Sequence, residues 1–257
     1  MSPAATDAPL VRRTRHRGVT TLTLDSPHNR NALSTRLVAE LHGQLDAARE
    51  DTDTRAVVLT HTGRVFCSGA DLTEVAGAEP VDSARELARL LHTLVTHPKP
   101  VLARVTGQAR AGGLGLLGAC DISVAGPDSG FAFTEARIGV APAVISLPLL
   151  PRLDARAASR YYLTGERFGP AEAARIGLVT LAAEEVDHAL EPVLDGLRRG
   201  SPQGLAESKR LANAEVVRAF ERDTDMLAQR SARLFASEDA REGITAFLER
   251  RDPSWLL

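Results

Sequence analysis

The chain has 257 residues, a formal net charge of -2, 44% hydrophobic and 25% charged residues. That balance excludes the basic footprint of a nucleic-acid binder and predicts a folded protein that buries a sizeable core without staples. The N-terminus lacks the apolar core of a secretory signal, and no uninterrupted apolar run is long enough to cross a bilayer, so a cytoplasmic protein is expected. The two cysteines, Cys67 and Cys120, sit in apolar segments without metal-ligand or redox spacing, which predicts buried reduced thiols and no metal site.

Residues 1–10 read as a disordered lead. Strand alternation marks 19–25, and "SPHNRN" (26–31) is turn chemistry. Ser34 is an expected N-cap for a helix with Leu37, Leu41 and Leu45 on one face. The β-branched run at 55–61 predicts a buried strand, followed by "VFCSGADLTEV" (65–75). Leu87, Leu90, Leu91 and Leu94 mark an amphipathic helix that "HPKP" (97–100) stops. Strands are expected at 101–107 and 121–126, with a Gly-rich helix start at 112–120 between them and a short extended piece at 131–136. Beyond Pro148 helical patterns dominate, at 154–165, 170–177, 186–200, 204–223 and 237–252, with one strand candidate at 178–183. The expected organisation is an α/β core over residues 11–200 and a helical region over 201–257.

Two Gly-containing loops each follow a strand, "SGAD" (68–71) and "GQARAGGLG" (107–115). Glycine lets backbone approach a ligand, and the second loop leads into a helix whose first N–H groups carry the positive end of the dipole. Two such donors aimed at one point make an oxyanion hole. Taken singly, a Gly after a strand makes a turn. A lone Ser or Cys without a base partner, such as Ser68 or Cys67, reads as packing rather than as a nucleophile.

The order and spacing of "LDSPHNRNALS", "VFCSGADL", "VTGQARAGGLGLLGACDISVA" and "FAFTEARIGVAPAVIS" resemble the crotonase, or enoyl-CoA hydratase/isomerase, superfamily over nearly the whole chain. The resemblance implies a spiral of repeated β-β-α units with C-terminal helices that complete a homotrimer or hexamer. It also implies an acyl-CoA thioester substrate and no separate cofactor. By position, Ala70 and Gly112 match the two backbone oxyanion donors, and Glu135 matches one of the family's two acid/base carboxylates. The other falls on Gly115. Asn31, Ala32, Leu33, Gly69, Asp71, Leu72 and Gly113 match segments that line the substrate, although a loop cap is the plainer role for Asp71. Arg110, Ser146 and Glu74 are the polar side chains expected near the pocket.

Basic residues that hold the CoA phosphates in the family read His28 and Thr73 here. Arg30, Lys209 and Arg250 are candidate substitutes, with solvated surface charge as the ordinary reading of each. Three functions fit: enoyl-CoA hydration in fatty-acid or branched-chain acyl catabolism, Δ3,Δ2-enoyl-CoA isomerisation with one Glu, and acyl-CoA binding without catalysis.

Overall fold

Two sheets grow together in the computed structural model, which describes residues 8–74 and 80–256. β1 (Val11–His16) and β2 (Val19–Leu24) form an antiparallel pair at one edge of the larger sheet. β3 (Ala56–His61), β5 (Val101–Val105), β7 (Ile122–Ala125) and β9 (Leu181–Ala182) extend it in parallel, in the order β1-β2-β3-β5-β7-β9. β4 (Val65–Cys67), β6 (Gln108–Arg110) and β8 (Gly130–Ala132) make a small parallel sheet. Each repeat thus places its first strand in the large sheet and its second in the small one. α2 (Pro80–Thr96) follows the β3/β4 pair, and α3 (Gly112–Ala119) follows β5/β6. This is the expected β-β-α spiral. Only residues 8–10 of the predicted lead are among those described.

β3 is buried at all six positions, as a strand covered on both faces must be. On one face Val19, Ala56, Val58, Leu102 and Val124 pack against Val186 and Leu190 of α7 (Val186–Arg199). The main core lies on the other face, where α1 (Thr35–Glu50) contributes Leu37, Leu41 and Leu45, and α2 contributes Leu90, Leu91 and Leu94. Ser34 caps α1 as expected, accepting a hydrogen bond from Leu37 N at 3.2 Å. α4 (Ser146–Leu149), α5 (Ala155–Thr164) and α6 (Pro170–Arg175) connect β8 to β9; α8 (Pro202–Ala212), α9 (Ala214–Phe235) and α10 (Glu238–Glu249) end the chain.

The structure departs from the sequence expectations in three places. β1 reads "VRRTRH", with one buried residue and five exposed, so it carries no alternating apolar signal; pairing with β2 alone makes it a strand. The continuous helical pattern over 204–223 is divided at Asn213, whose buried amide donates to Val95 O (3.0 Å) and Asp121 Oδ1 (2.8 Å) and whose Oδ1 accepts from Arg152 Nη2 (2.8 Å). Those bonds to the core hold the chain at the junction of α8 and α9. Finally, the extended piece at 131–136 ends early: β8 stops at Ala132, and Glu135–Ile138 form a 3₁₀ turn closed by Gly139 at φ +76°.

Candidate active site

β4 and β6 are neighbours in the small sheet, so the loops that leave their C-terminal ends meet. Gly69 lies at φ +95°, a conformation that glycine adopts without strain, and a Cβ there would stand 2.8 Å from Ala111 Cβ and 3.1 Å from Gly112 N. A Cβ on Gly112 would lie 3.3 Å from Gly69 Cα and 3.7 Å from Ala70 N. The backbones of the two loops are in direct contact, and Ala70 and Gly112 are brought together.

Ala70 N has no hydrogen-bond partner among the described residues, and Gly112 opens α3, where the N–H has no intrahelical acceptor. Ala111, at φ 46° and ψ -119°, is held in a sparsely populated backbone region just before this turn. Such strain costs on the order of 1–3 kcal/mol and persists only where surrounding packing enforces it.

The packing is visible on both sides. Leu33 N donates to Gly69 O at 2.8 Å, and Leu33 Cδ1 would touch a Cβ on Gly112 at 2.9 Å. Gly113 presses on β4 so closely that a Cβ would lie 2.5 Å from Cys67 O. Ala32 is buried beside Leu33, and Leu72 is half-buried after the first loop. Asp71 accepts from Thr73 N (3.1 Å), Thr73 Oγ1 (2.7 Å) and Asn29 Nδ2 (3.2 Å). Partial burial pushes its pKa upward, but those bonds prevail and hold the carboxyl below the usual range. Asp71 is a loop cap.

Glu135 heads the 3₁₀ turn after β8, the next strand of the same small sheet. It is buried, and its Oε2 has no hydrogen-bond partner. Desolvation pushes its pKa up to about 7. Helix α10 backs this turn: a Cβ on Gly243 would lie 2.5 Å from Ile138 C, and one on Gly139 would lie 2.4 Å from Asp239 O. Two neighbouring backbone N–H donors and an ionisable carboxyl of near-neutral pKa are the groups with which a site can stabilise an oxyanion and move a proton.

A model of the enoyl-CoA hydratase/isomerase family matches residues 14–256. The chain belongs to that family. It is 32% identical over 246 residues to the 2,3-dehydroadipyl-CoA hydratase of Escherichia coli, covering 94% of this chain and 96% of that one. An enoyl-CoA hydratase from Mycobacterium avium superposes with a TM-score of 0.91 at 55% identity, covering 96% of this chain and 99% of the other. An enoyl-CoA hydratase/isomerase from Marinobacter aquaeolei superposes at 0.75 with 28% identity, covering 96% and 99%. The fold is the crotonase fold of these relatives.

Within this family member, several polar candidates make side-chain hydrogen bonds to neighbouring elements of the fold. Asn31 (φ 52°) is buried; its Oδ1 accepts from Ser26 N at 2.7 Å, and its Nδ2 donates to Thr62 O (3.1 Å) and Val65 O (2.7 Å). Its side chain ties the 26–31 turn to the segment between β3 and β4. Glu74 accepts from Thr35 N (2.7 Å) and Thr35 Oγ1 (2.9 Å) at the start of α1. Arg110 binds Ala109 O (2.7 Å), Gly130 O (2.5 Å) and Gln108 Oε1 (2.8 Å), tying β6 to β8.

Lys209 is neither a surface charge nor an open cation. It is buried, with Nζ 2.7 Å from Asp121 Oδ2 and donating to Leu94 O at 2.8 Å. Arg30 and Arg250 are exposed, both at positive φ. Cys67 and Cys120 are buried thiols that desolvation pushes up to about 12.

The sequence reading missed two features. Gly115 faces no empty space: a Cβ there would meet Ile145 Cγ2 at 2.7 Å and Leu91 Cδ1 at 3.2 Å. Tyr162 also went unnoticed, because two adjacent tyrosines on a helix carry no motif. Its hydroxyl lies 3.3 Å from Ser146 Oγ, and both residues line a cavity of about 600 Å³ between the 141–151 segment and α9.

Proposed function

We propose that this protein adds water across the 2,3 double bond of an enoyl-CoA thioester. The N–H groups of Ala70 and Gly112 hold the thioester oxygen, and Glu135 moves the proton. The observation that carries this reading is Glu135: a buried carboxyl with an unpartnered oxygen, pushed up to about 7. A buried polar atom without a partner costs free energy, so its presence on the turn that follows β8 speaks for chemistry. A group that both accepts and returns a proton works best with a pKa near the operating pH. A protein that only bound acyl-CoA would have no use for such a carboxyl.

In the cycle, the water oxygen attacks C3 while one water proton passes to Glu135. The double-bond electrons move through C2 into the thioester, and the two N–H groups hold the negative charge that gathers on its oxygen. The enolate then takes the proton from Glu135 at C2, which restores the carboxylate and completes the addition. One such donor is worth on the order of 3 kcal/mol of barrier. CoA enters as part of the substrate, and no other cofactor is required.

The second reading is Δ3,Δ2-enoyl-CoA isomerisation, favoured by the apolar packing at Gly115. A proton carried between C4 and C2 needs one carboxyl and no water. Purified protein with crotonyl-CoA and with 3-butenoyl-CoA separates the readings. Loss of enoyl absorbance from crotonyl-CoA supports hydration. Activity confined to 3-butenoyl-CoA supports isomerisation, and inactivity toward both overturns both.

The same reading includes a cytoplasmic homotrimer or homohexamer. Leu211, Phe247 and Leu248 on the C-terminal helices are exposed and supply apolar surface for assembly. A monomer at micromolar concentration in light scattering contradicts it.

A further inference from the structure

Glu135 stands at the head of a four-residue 3₁₀ turn. A base works only within hydrogen-bond reach of its proton, about 2.6–3.2 Å, so the place of that turn decides what the carboxyl can do. The turn is closed on Glu135 itself: Gly139 N donates to Ala136 O (3.4 Å) and to Glu135 O, and Val140 N donates to Glu135 O at 3.1 Å. A shift of Ile138 or Gly139 is therefore carried to the Glu135 backbone.

Two neighbours hold the turn from outside. On one side Arg137 donates from Nε (3.2 Å) and Nη2 (3.1 Å) to Thr164 O, at the end of α5. On the other side stands α10, and there the contact is backbone on backbone. A Cβ on Gly243 would lie 2.5 Å from Ile138 C and 2.7 Å from both Ile138 Cα and Ile138 O. One on Gly139 would run into Asp239 C and O and stand 2.6 Å from Ala240 N. Ser237 caps this end of α10, its Oγ accepting from Ala240 N at 3.2 Å. Gly139 needs glycine for its φ of +76° as well. Gly243 does not: it is buried inside a helix at an ordinary φ, where glycine weakens the helix relative to alanine. The close approach to Ile138 is what glycine provides at that position.

We propose that Gly243 is a positioning residue for Glu135: by admitting the α10 backbone against Ile138, it fixes the turn from which the carboxyl reaches the substrate. The proposal rests on the reading of Glu135 as the group that moves the proton. Gly243 touches no reacting atom, and its effect passes through Ile138 and Gly139 alone.

The test is Gly243→Ala, made alone and together with Glu135→Gln, with kcat and KM measured for hydration of crotonyl-CoA. If wild type acts only on 3-butenoyl-CoA, the same variants are read on isomerisation, where Glu135 also moves the proton. Alanine suits a helix better than glycine, so the variant leaves α10 intact and its methyl displaces the turn. A misplacement of about 1 Å can cost on the order of a hundredfold in rate. The expected result is a fall in kcat of about tenfold or more with Glu135 present, KM staying within about threefold. In the Glu135→Gln background the fall is expected to be less than about threefold, since a residue that acts through Glu135 then has nothing to act on. A fall by the same factor in both backgrounds means that α10 supports the site generally and overturns the proposal, as does no fall in either. If Gly243→Ala does not fold, Ser237→Ala takes its place, because loss of the cap loosens the part of α10 that meets Gly139. A loss confined to the Glu135 background supports the proposal; an equal loss, or none, overturns it. A Glu135→Gln protein as active as wild type overturns the assignment of the base itself, a distinguishable failure.

Discussion

The Cβ that Gly115 lacks would stand 2.7 Å from Cγ2 of Ile145. The space in which the family's first carboxylate would begin is therefore occupied by a side chain from the loop after the Glu135 turn. Gly115 and Ile145 fit as a pair, small on the helix and large on the loop.

That pairing predicts that Gly115→Glu raises no activity on its own. Overpacking a core costs roughly 1–3 kcal/mol, and a carboxyl forced among Ile145 and Leu91 adds its own desolvation cost. Urea unfolding is expected to show a clear loss of stability. Adding Ile145→Gly opens the space, and the double variant is expected to be more stable than Gly115→Glu alone. A single variant as stable as wild type would show that the helix side of the site is open.

Glu135→Gln keeps the shape and removes the base. As the sole carboxyl proposed for proton transfer, it is expected to lower kcat by about 10³–10⁴-fold, the upper part of the range for general acid–base groups. In wild type, activity is expected to rise with pH through about 7, since Glu135 must be ionised to accept a proton and burial sets its pKa there. Steady-state kinetics across pH 5–9 check both statements. A variant within about threefold of wild type would show that Glu135 is not the base.

The same carboxyl affects stability. Its folded pKa of about 7 lies above the ordinary value of 4.5, so folding favours its protonated form. The stabilisation is fully present below pH 4.5 and is lost as pH rises through 7, an effect of roughly 3 kcal/mol. Gln does not titrate. Glu135→Gln is therefore expected to gain stability relative to wild type between pH 5 and pH 8, read from unfolding midpoints at the two pH values. An unchanged gap would mean that the carboxyl is hydrated in the folded protein.

Cys67 lies beneath the first loop, its Sγ accepting from Gly69 N at 3.4 Å, with its thiol pushed up to about 12 by desolvation. It is a poor nucleophile at neutral pH. Cys67→Ala and Ser68→Ala are each expected to stay well within about a hundredfold of wild-type kcat. A greater loss in a folded variant would point to covalent catalysis.

Asp121 and Lys209 form an ion pair below the junction of α8 and α9, with Asp121 also accepting from Val101 N (2.7 Å). Removing one partner of a buried pair leaves the other charge uncompensated, at a cost of roughly 3–5 kcal/mol. Asp121→Asn is expected to lose about that much in urea unfolding. A loss below about 1 kcal/mol would mean that water reaches Lys209.

The helices and most strands could be read in the sequence because their apolar positions repeat at the helical or strand period, as at Leu37, Leu41 and Leu45. β1 could not, since its "VRRTRH" has no apolar face and is a strand only through pairing with β2. Nor could the break at Asn213, which depends on partners about 60 to 120 residues away.

At the candidate site, sequence by itself determined the local parts: two Gly-containing turns after strands, a helix beginning at Gly112, and a carboxyl at Glu135. It determined them because turn chemistry, helix starts and residue type are properties of a few consecutive residues. Tertiary structure alone decided what each part faces. It set Gly69 against Ala111 and Gly112, filled the space at Gly115 with Ile145, and buried Lys209 on Asp121. It also left one oxygen of Glu135 buried without a partner. Close packing, burial and the pKa shifts that follow are set by atoms distant in the chain, and those contacts exist only once the sheets and helices have assembled.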